Sequence, residues 1–196
     1  MNDFFERYSQ LECCKTDIEK ALNLMIDTYG KKGKILVCGN GGSASDSEHI
    51  VGELMKGFLL KRQVIDERFS QELRENLQRA LPAISLNSQT ALMTAFNNDL
   101  DPDFVFAQQV YGYSGENDLL IGISTSGNST NVVNAVKVAN SMGVNSLVLT
   151  GKDGGKLKSL ATVSVCVPVN ETYKIQEYHL PIYHYLCAKV EEEFFK

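Results

Sequence analysis

Five short runs constrain this chain more than any other feature: residues 34–38 ("KILVC"), 82–86 ("PAISL"), 119–124 ("LLIGIS"), 146–150 ("SLVLT") and 162–167 ("TVSVCV"). Each is nearly continuous in apolar or small residues. A strand with one wet face alternates in polarity, so unbroken runs belong to strands covered on both faces, the condition of a parallel sheet. Between them lie segments with helical spacing, at about 44–60, 88–98, 103–113 and 129–142. Strand and helix in alternation predict an α/β fold, a five-stranded parallel sheet flanked by helices. With 43% hydrophobic and 22% charged residues over 196 positions, composition and length fit a single globular domain.

Two long helices are expected to bracket the sheet. Over about 3–30, Phe4, Tyr8, Leu11, Ile18, Leu22, Met25 and Tyr29 step by four and three, interrupted at Lys15. So narrow a seam packs either on its own sheet or in a helix bundle shared between subunits, and both readings stand. The last helix, about 174–195, carries Ile175, Ile182, Leu186, Val190 and Phe194. Between the second helix and the second strand, residues 61–80 are charged and amphipathic. There Ile65, Phe69, Leu73 and Leu77 form one apolar stripe, which reads as a surface helix at about 64–80 or part of a subunit contact.

The formal charge of −5 argues against sequence-independent nucleic-acid binding, which needs a basic surface. It leaves room for a small anion, because backbone N–H groups at a helix terminus hold a phosphate whatever the net charge. Cys13, Cys14, Cys38, Cys166 and Cys187 form no CxxC pair and no metal-finger spacing, which fits reduced thiols in a cytosol. The opening "MNDFFERYSQ" has no signal-peptide core, and no apolar run approaches the ~20 residues needed to cross a bilayer. The expectation is a cytoplasmic protein with a small-molecule partner, and neither nucleic acid nor membrane.

Open α/β sheets bind ligands at the carboxyl ends of their strands. The first such loop, "GNGGS" at 39–43, opens the helix that carries His49. Its glycines let backbone approach a ligand and turn helix N-terminal N–H groups toward it, although an ordinary tight turn could use them too. It is not a dinucleotide fingerprint: the helix-facing third glycine and the acidic residue after the next strand are missing. The second loop, "STSGNST" at 124–130, sets the hydroxyls of Ser124, Thr125, Ser126 and Ser129 around Gly127 at a helix start. That chemistry suits phosphomonoester oxygens. Without a Walker-type lysine, a nucleoside triphosphate is not expected. The third loop, "GKDGGK" at 151–156, reads as turn chemistry alone.

His49 and Glu53 lie about 40° apart on one helix face. Near the C-terminus, "KIQEYHLPIYH" places Gln176 and His184 eight residues apart on nearly the same face. His179 falls about 140° from His184 and reads as structural or exposed. Each residue has an ordinary explanation, Glu53 as a solvated carboxylate and the histidines as packing groups. Their joint placement beside two anion loops favours chemistry.

With these residues in hand, the chain resembles the phosphoheptose isomerases (sedoheptulose 7-phosphate isomerases) of the SIS, or sugar isomerase, domain family. The matching pieces are "GKILVCGNGGSASDSEHIVGEL", "FNND", "GISTSGNSTNVVNA", "LTGKDGGKL" and "IQEYHLPIYH", spread over about residues 30–190. The resemblance implies that Asn40, Gly41, Gly42 and Ser43 contact the sugar, and that Ser124, Thr125, Ser126 and Ser129 cradle its phosphate. Asn98 and Asp99 resemble the pair near the reacting end, Glu53 the catalytic base and His184 the catalytic acid. His49, Glu53, Gln176 and His184 match the positions at which family members hold zinc, one ion per subunit. The zinc is open between a catalytic part, a structural part and competition with the base role of Glu53. A homotetramer is implied as well, with a central bundle of N- and C-terminal helices and sites lined by more than one subunit.

The expected reaction converts sedoheptulose 7-phosphate to D-glycero-D-manno-heptose 7-phosphate through an enediol(ate), opening nucleotide-activated heptose synthesis for surface glycans such as lipopolysaccharide or capsule. Two departures bear on it. Residues about 64–80 look like an insertion, and Pro181 sits inside the last helix between Gln176 and His184. The alternatives are a non-catalytic SIS regulator of the replication-initiator-associating type, or an isomerase of another sugar phosphate.

Overall fold

A computed structural model describes residues 3–196. Helix α1 (Phe4–Arg7), a 3-10 turn (Ser9–Cys14) and α2 (Lys15–Gly30) lead into β1 (Ile35–Gly39) and α3 (Gly42–Met55). Then come α4 (Gln71–Asn76), β2 (Ala83–Ser85), α5 (Thr90–Asp99), α6 (Val105–Tyr113) and β3 (Leu119–Ile123). The chain continues through α7 (Thr130–Ser141), β4 (Asn145–Thr150), α8 (Leu157–Leu160), β5 (Val163–Cys166) and α9 (Thr172–Phe195).

All five strands pair in parallel, in the order β2-β1-β3-β4-β5, as the apolar runs require. Their residues divide by parity. Ile35 and Val37 join Ile121, Leu147 and Leu149 in a core under α2, α3 and α9, while Leu36 and Cys38 join Leu120 and Val148 under α6 and α7. Burying each such side chain is worth about 1.5–3 kcal/mol, which is why neither face tolerates a polar register. From β1 the chain steps outward to β2, then returns across β1 to β3. The carboxyl ends of β1 and β3 therefore border a topological switch point, where open sheets bind ligands.

Three expectations are corrected. The helix predicted over 3–30 is broken: Tyr8 leaves helical geometry (φ −119°, ψ 59°), and residues 9–14 turn as a 3-10 helix. Leu11 and Cys14, three apart, both point inward there, a spacing that the tighter turn brings into line. Second, the helix predicted at 44–60 ends at Met55, where Lys56 becomes extended. Third, the surface helix at 64–80 shrinks to Gln71–Asn76, begun by a Ser70 cap, and Ile65, Phe69, Leu73 and Leu77 are all exposed. Asp66 pairs with Arg68 and Gln63 bridges to Gln78, so local polar contacts override the apolar stripe.

The N-terminal seam packs within its own chain. Phe4, Leu11, Ile18, Met25 and Tyr29 are buried in the core under α9, and Tyr8 and Leu22 lie partly buried beside it. Helix α9 runs through Pro181 without a break. The carbonyl of Glu177 loses its helical partner there, but Glu177 is exposed and water can serve it. Among the described residues, no helix is long and apolar enough to cross a membrane.

Candidate active site

The first loop is held by residues that its own sequence does not contain. Asn87, just past β2, accepts from Gly39 N (3.2 Å) and Ser47 Oγ (3.0 Å) and donates to Gly39 O (2.8 Å). Gly41 adopts φ +58°, which favours glycine. Ser43 is buried, so of the expected sugar-contacting group only Asn40, Gly41 and Gly42 face outward. Asn40 is already engaged: it exchanges two hydrogen bonds (2.8 and 3.0 Å) with Asn131 of α7, joining the two loops across the switch point.

The second loop divides its hydroxyls. Ser124 and Ser129 bond to each other (2.9 Å), tying the strand end to the helix start. Thr125 and Ser126 instead line a cavity of about 230 Å³ shared with Gly151, Lys152, Asn170 and Ile175. Neither Gly41 at the head of α3 nor Ser129 at the head of α7 caps its helix with a side chain. Ser43 N and Ala44 N donate to Asn40 O and Gly41 O (both 3.0 Å), and Val132 N to Asn131 Oδ1 (3.0 Å). The donors that face an anion are therefore those of the first helical residues, Gly42, Thr130 and Asn131. The third loop does more than turn. Gly127 (φ +64°) meets Gly154 so closely that a Cβ would stand 2.0 Å from its carbonyl oxygen, so the glycines of 151–156 press against the 124–130 loop and shape it.

Glu53 and His49 share a face of α3, and His184 reaches them from α9. Glu53 Oε1 lies 3.2 Å from His49 Nε2, which lies 3.3 Å from His184 Nε2. One ligand atom from each of the three residues falls within 4.8 Å of the others. Lys56 approaches the other Glu53 oxygen (3.3 Å). Burial, then the neighbouring His49, lowers the His184 pKa, against the pull of Glu53. Behind the cluster, His49 Nδ1 is 3.0 Å from Tyr183 Oη, which donates to Asp46 Oδ1 (3.2 Å). Tyr183 and Asp46 thus hold the His49 ring in orientation, with Nε2 turned to the cluster. Burial raises the Asp46 pKa, opposed by the Tyr183 hydrogen bond and by His49.

The donor set fits zinc. A tetrahedral ion with Zn–N of ~2.0–2.1 Å separates two ligand atoms by roughly 3.3 Å. The observed contacts are 3.2 and 3.3 Å, and His49 has the outer partner that metal-bound histidines use. Gln176 faces the first loop, where a Cβ on Gly42 would stand 2.6 Å from its Nε2. Asn98 and Asp99 bond to each other (2.8 Å) and are exposed at the end of α5. His179 is fully buried and donates toward Thr150 O; burial pushes its pKa down to about 4, so it is a neutral packing residue.

Residues 2–151 match the SIS domain family. A phosphoheptose isomerase of Citrifermentans bemidjiense is 43% identical over 178 residues, 91% of this chain and 84% of that one. The chain belongs to the phosphoheptose isomerases of the SIS domain family. A further relative in this family, the phosphoheptose isomerase of Aliarcobacter butzleri, is 41% identical over 93% of this chain and 88% of its own. Solved phosphoheptose isomerases share the fold: that of Neisseria gonorrhoeae at TM-score 0.78 and 33% identity, and that of Francisella tularensis at 0.81 and 30%. Each covers 97% of this chain and is itself covered to 96%. Family motifs made Glu53, His49 and His184 legible, whereas Asn87, Asn131, Tyr183 and Asp46 were missed. Asn87 had a usable signal, since it stands directly after a strand.

Proposed function

We propose that this chain interconverts sedoheptulose 7-phosphate and D-glycero-D-manno-heptose 7-phosphate, the entry to nucleotide-activated heptose for a surface glycan such as lipopolysaccharide or capsule. The observation that carries the proposal is the convergence of Glu53 with two imidazoles, in a chain 43% identical to a phosphoheptose isomerase.

Ketose and aldose differ by two hydrogens moved between C1 and C2. The Glu53 carboxylate takes the proton from C1, leaving a cis-enediolate, and returns a proton to C2. His184 supplies a proton to O2 as its carbonyl becomes a hydroxyl and receives one from O1 as the aldehyde forms. Its lowered pKa keeps the ring neutral at physiological pH, able to give and to take. Thr125 and Ser126, with the open N–H groups of α7, hold the phosphate, and Asn40, Gly41, Gly42 and Gln176 border the carbon chain. Such remote contacts fix the reacting carbons in register. His49, Glu53 and His184, with Gln176 as the fourth ligand, would hold a zinc ion, which when bound polarises substrate oxygens.

The same reading makes the chain a cytoplasmic homotetramer. In support, Asn98 and Asp99 are exposed in the single chain, free to complete a neighbour's site. Leu59 and Ile65, 61% and 72% exposed, offer apolar ground for subunit contact.

The test is turnover by the purified chain, with five- and six-carbon ketose phosphates in parallel. Conversion of sedoheptulose 7-phosphate to the aldoheptose phosphate is expected. Activity on a shorter sugar phosphate alone would overturn the substrate, and phosphosugar binding with no turnover of any would overturn the reaction.

A further inference from the structure

Among the described residues, the most deeply buried charges lie outside the cluster just described. Arg62 and Glu191 form an ion pair of 2.7 Å, with side-chain exposures of 0% and 1%. Two charges so far from water persist only when their remaining donors and acceptors are also used. Here they are. Glu191 Oε1 accepts from Phe58 N (2.7 Å) and Arg62 Nε (2.7 Å), and Oε2 accepts from Leu59 N (2.7 Å) and Leu60 N (3.0 Å). The other two guanidinium nitrogens donate to backbone carbonyls, Nη1 to Leu54 (2.6 Å) and Nη2 to Glu53 (3.1 Å).

Those two carbonyls belong to the last turn of α3, where the helix supplies no N–H to receive them. Arg62 thus caps, with a positive charge at the favoured end, the helix that carries His49 and Glu53. Glu191 stands seven residues beyond His184, about two turns along the same face of α9. The turn it grips contains Phe58, whose ring centroid is 5.4 Å from that of His184. One saturated pair therefore holds the backbone of Glu53 at one end and the ring packed on His184 at the other.

We infer that Arg62 and Glu191 are positioning residues, a buried clamp between α3 and α9 that sets the spacing of the Glu53 carboxylate and the His184 imidazole. The inference rests on the isomerase reading only for its kinetic consequence. A lysine at 62 keeps the charge but loses the fork, so it cannot pair with Glu191 and reach both carbonyls. The Phe195 ring lies over the guanidinium (4.7 Å) and backs it from the far side.

Two variants test the clamp, Arg62→Lys and the double Arg62→Met/Glu191→Gln. The second removes both charges together, so neither is left buried alone, and the glutamine oxygen still accepts from Leu59 N and Leu60 N, while the Phe58 N bond is given up. Both are expected to stay folded, with kcat for sedoheptulose 7-phosphate reduced about 10- to 100-fold and KM within about threefold, since small misplacements near the chemistry cost turnover more than binding. A folded variant with wild-type kcat overturns the clamp, as does a loss confined to KM. Cobalt(II) titration, followed by visible absorption, reads the same spacing in the His49–Glu53–His184 cluster without turnover. Affinity about tenfold or more weaker than wild type is expected, the size of effect that supporting groups have on ligand sets. Wild-type affinity and spectrum in both variants overturn the clamp. An inactive wild-type chain overturns the isomerase reading instead, and leaves the cobalt result to decide the clamp.

Discussion

Helices α3 and α9 are joined by charged groups in two places, and the two junctions are built in opposite ways. At Arg62–Glu191 both carboxylate oxygens and all three guanidinium nitrogens have partners on the chain, and the pair is sealed from water. At His49–Glu53–His184 the groups are partly open to solvent, and nitrogen lone pairs and a carboxylate oxygen converge on one another. Charged and titratable groups at the boundary of the same two helices thus take different work. A charge whose every hydrogen bond is spent internally can only hold. A cluster with lone pairs left over, kept in place by Tyr183 and Asp46 behind it, can receive a cation or a proton.

The largest effect expected from breaking this contrast is on stability. Glu191→Ala leaves the Arg62 charge buried and three backbone N–H groups without an acceptor, and urea unfolding should show a loss of about 3–5 kcal/mol. His184→Ala, at the open junction, should change stability by about 1 kcal/mol or less. Equal losses in the two variants would erase the distinction between holding and working groups.

The remaining histidine sharpens it. His179 is buried without a charge partner, and its folded pKa is pushed from 6.5 down to about 4. Above pH 6.5 the ring is neutral folded or unfolded and contributes nothing to pH dependence. As pH falls from 6.5 toward 4, the unfolded chain takes up a proton that the folded chain refuses, so stability drops by about 3 kcal/mol. Urea midpoints across this window should fall in the wild type and flatten in His179→Gln. An unchanged slope in that variant would assign the acid sensitivity to other groups.

A somewhat smaller effect concerns the open junction. Zinc at about a hundredfold over its Kd should raise unfolding stability by about 2.7 kcal/mol, and His49→Ala should abolish the gain. Stabilisation that persists in His49→Ala would place the ion elsewhere.

The sheet was legible because strands buried on both faces leave unbroken apolar runs, and the His49–Glu53–His184 cluster because its members sit in motifs that resemble those of the family. The 64–80 segment misled because the four-residue steps from Ile65 to Leu77 imitate a helix face, while Asp66, Ser70 and Gln78 set a different local chain path. Arg62 and Glu191 were hidden inside "KRQ" and "KVEEEF", where composition does not separate a solvated charge from a buried one. The signal lay in α9: Glu191 follows Cys187 by four residues on the buried stripe, and a charge on such a stripe demands a partner. The loops were read one at a time, so the Asn40–Asn131 pair across the switch point, which depends on strand order, was out of reach.

The central claim is that the open junction performs the chemistry, with Glu53 moving the carbon-bound proton. The most direct test is turnover of sedoheptulose 7-phosphate by the Glu53→Gln variant beside the wild type, with folding and phosphosugar binding checked on both. Loss of a general base of this kind should lower kcat by about 10²–10⁴-fold while the sugar phosphate still binds. Turnover at the wild-type rate in the folded variant would contradict the account and leave Glu53 as a metal-holding or structural carboxylate.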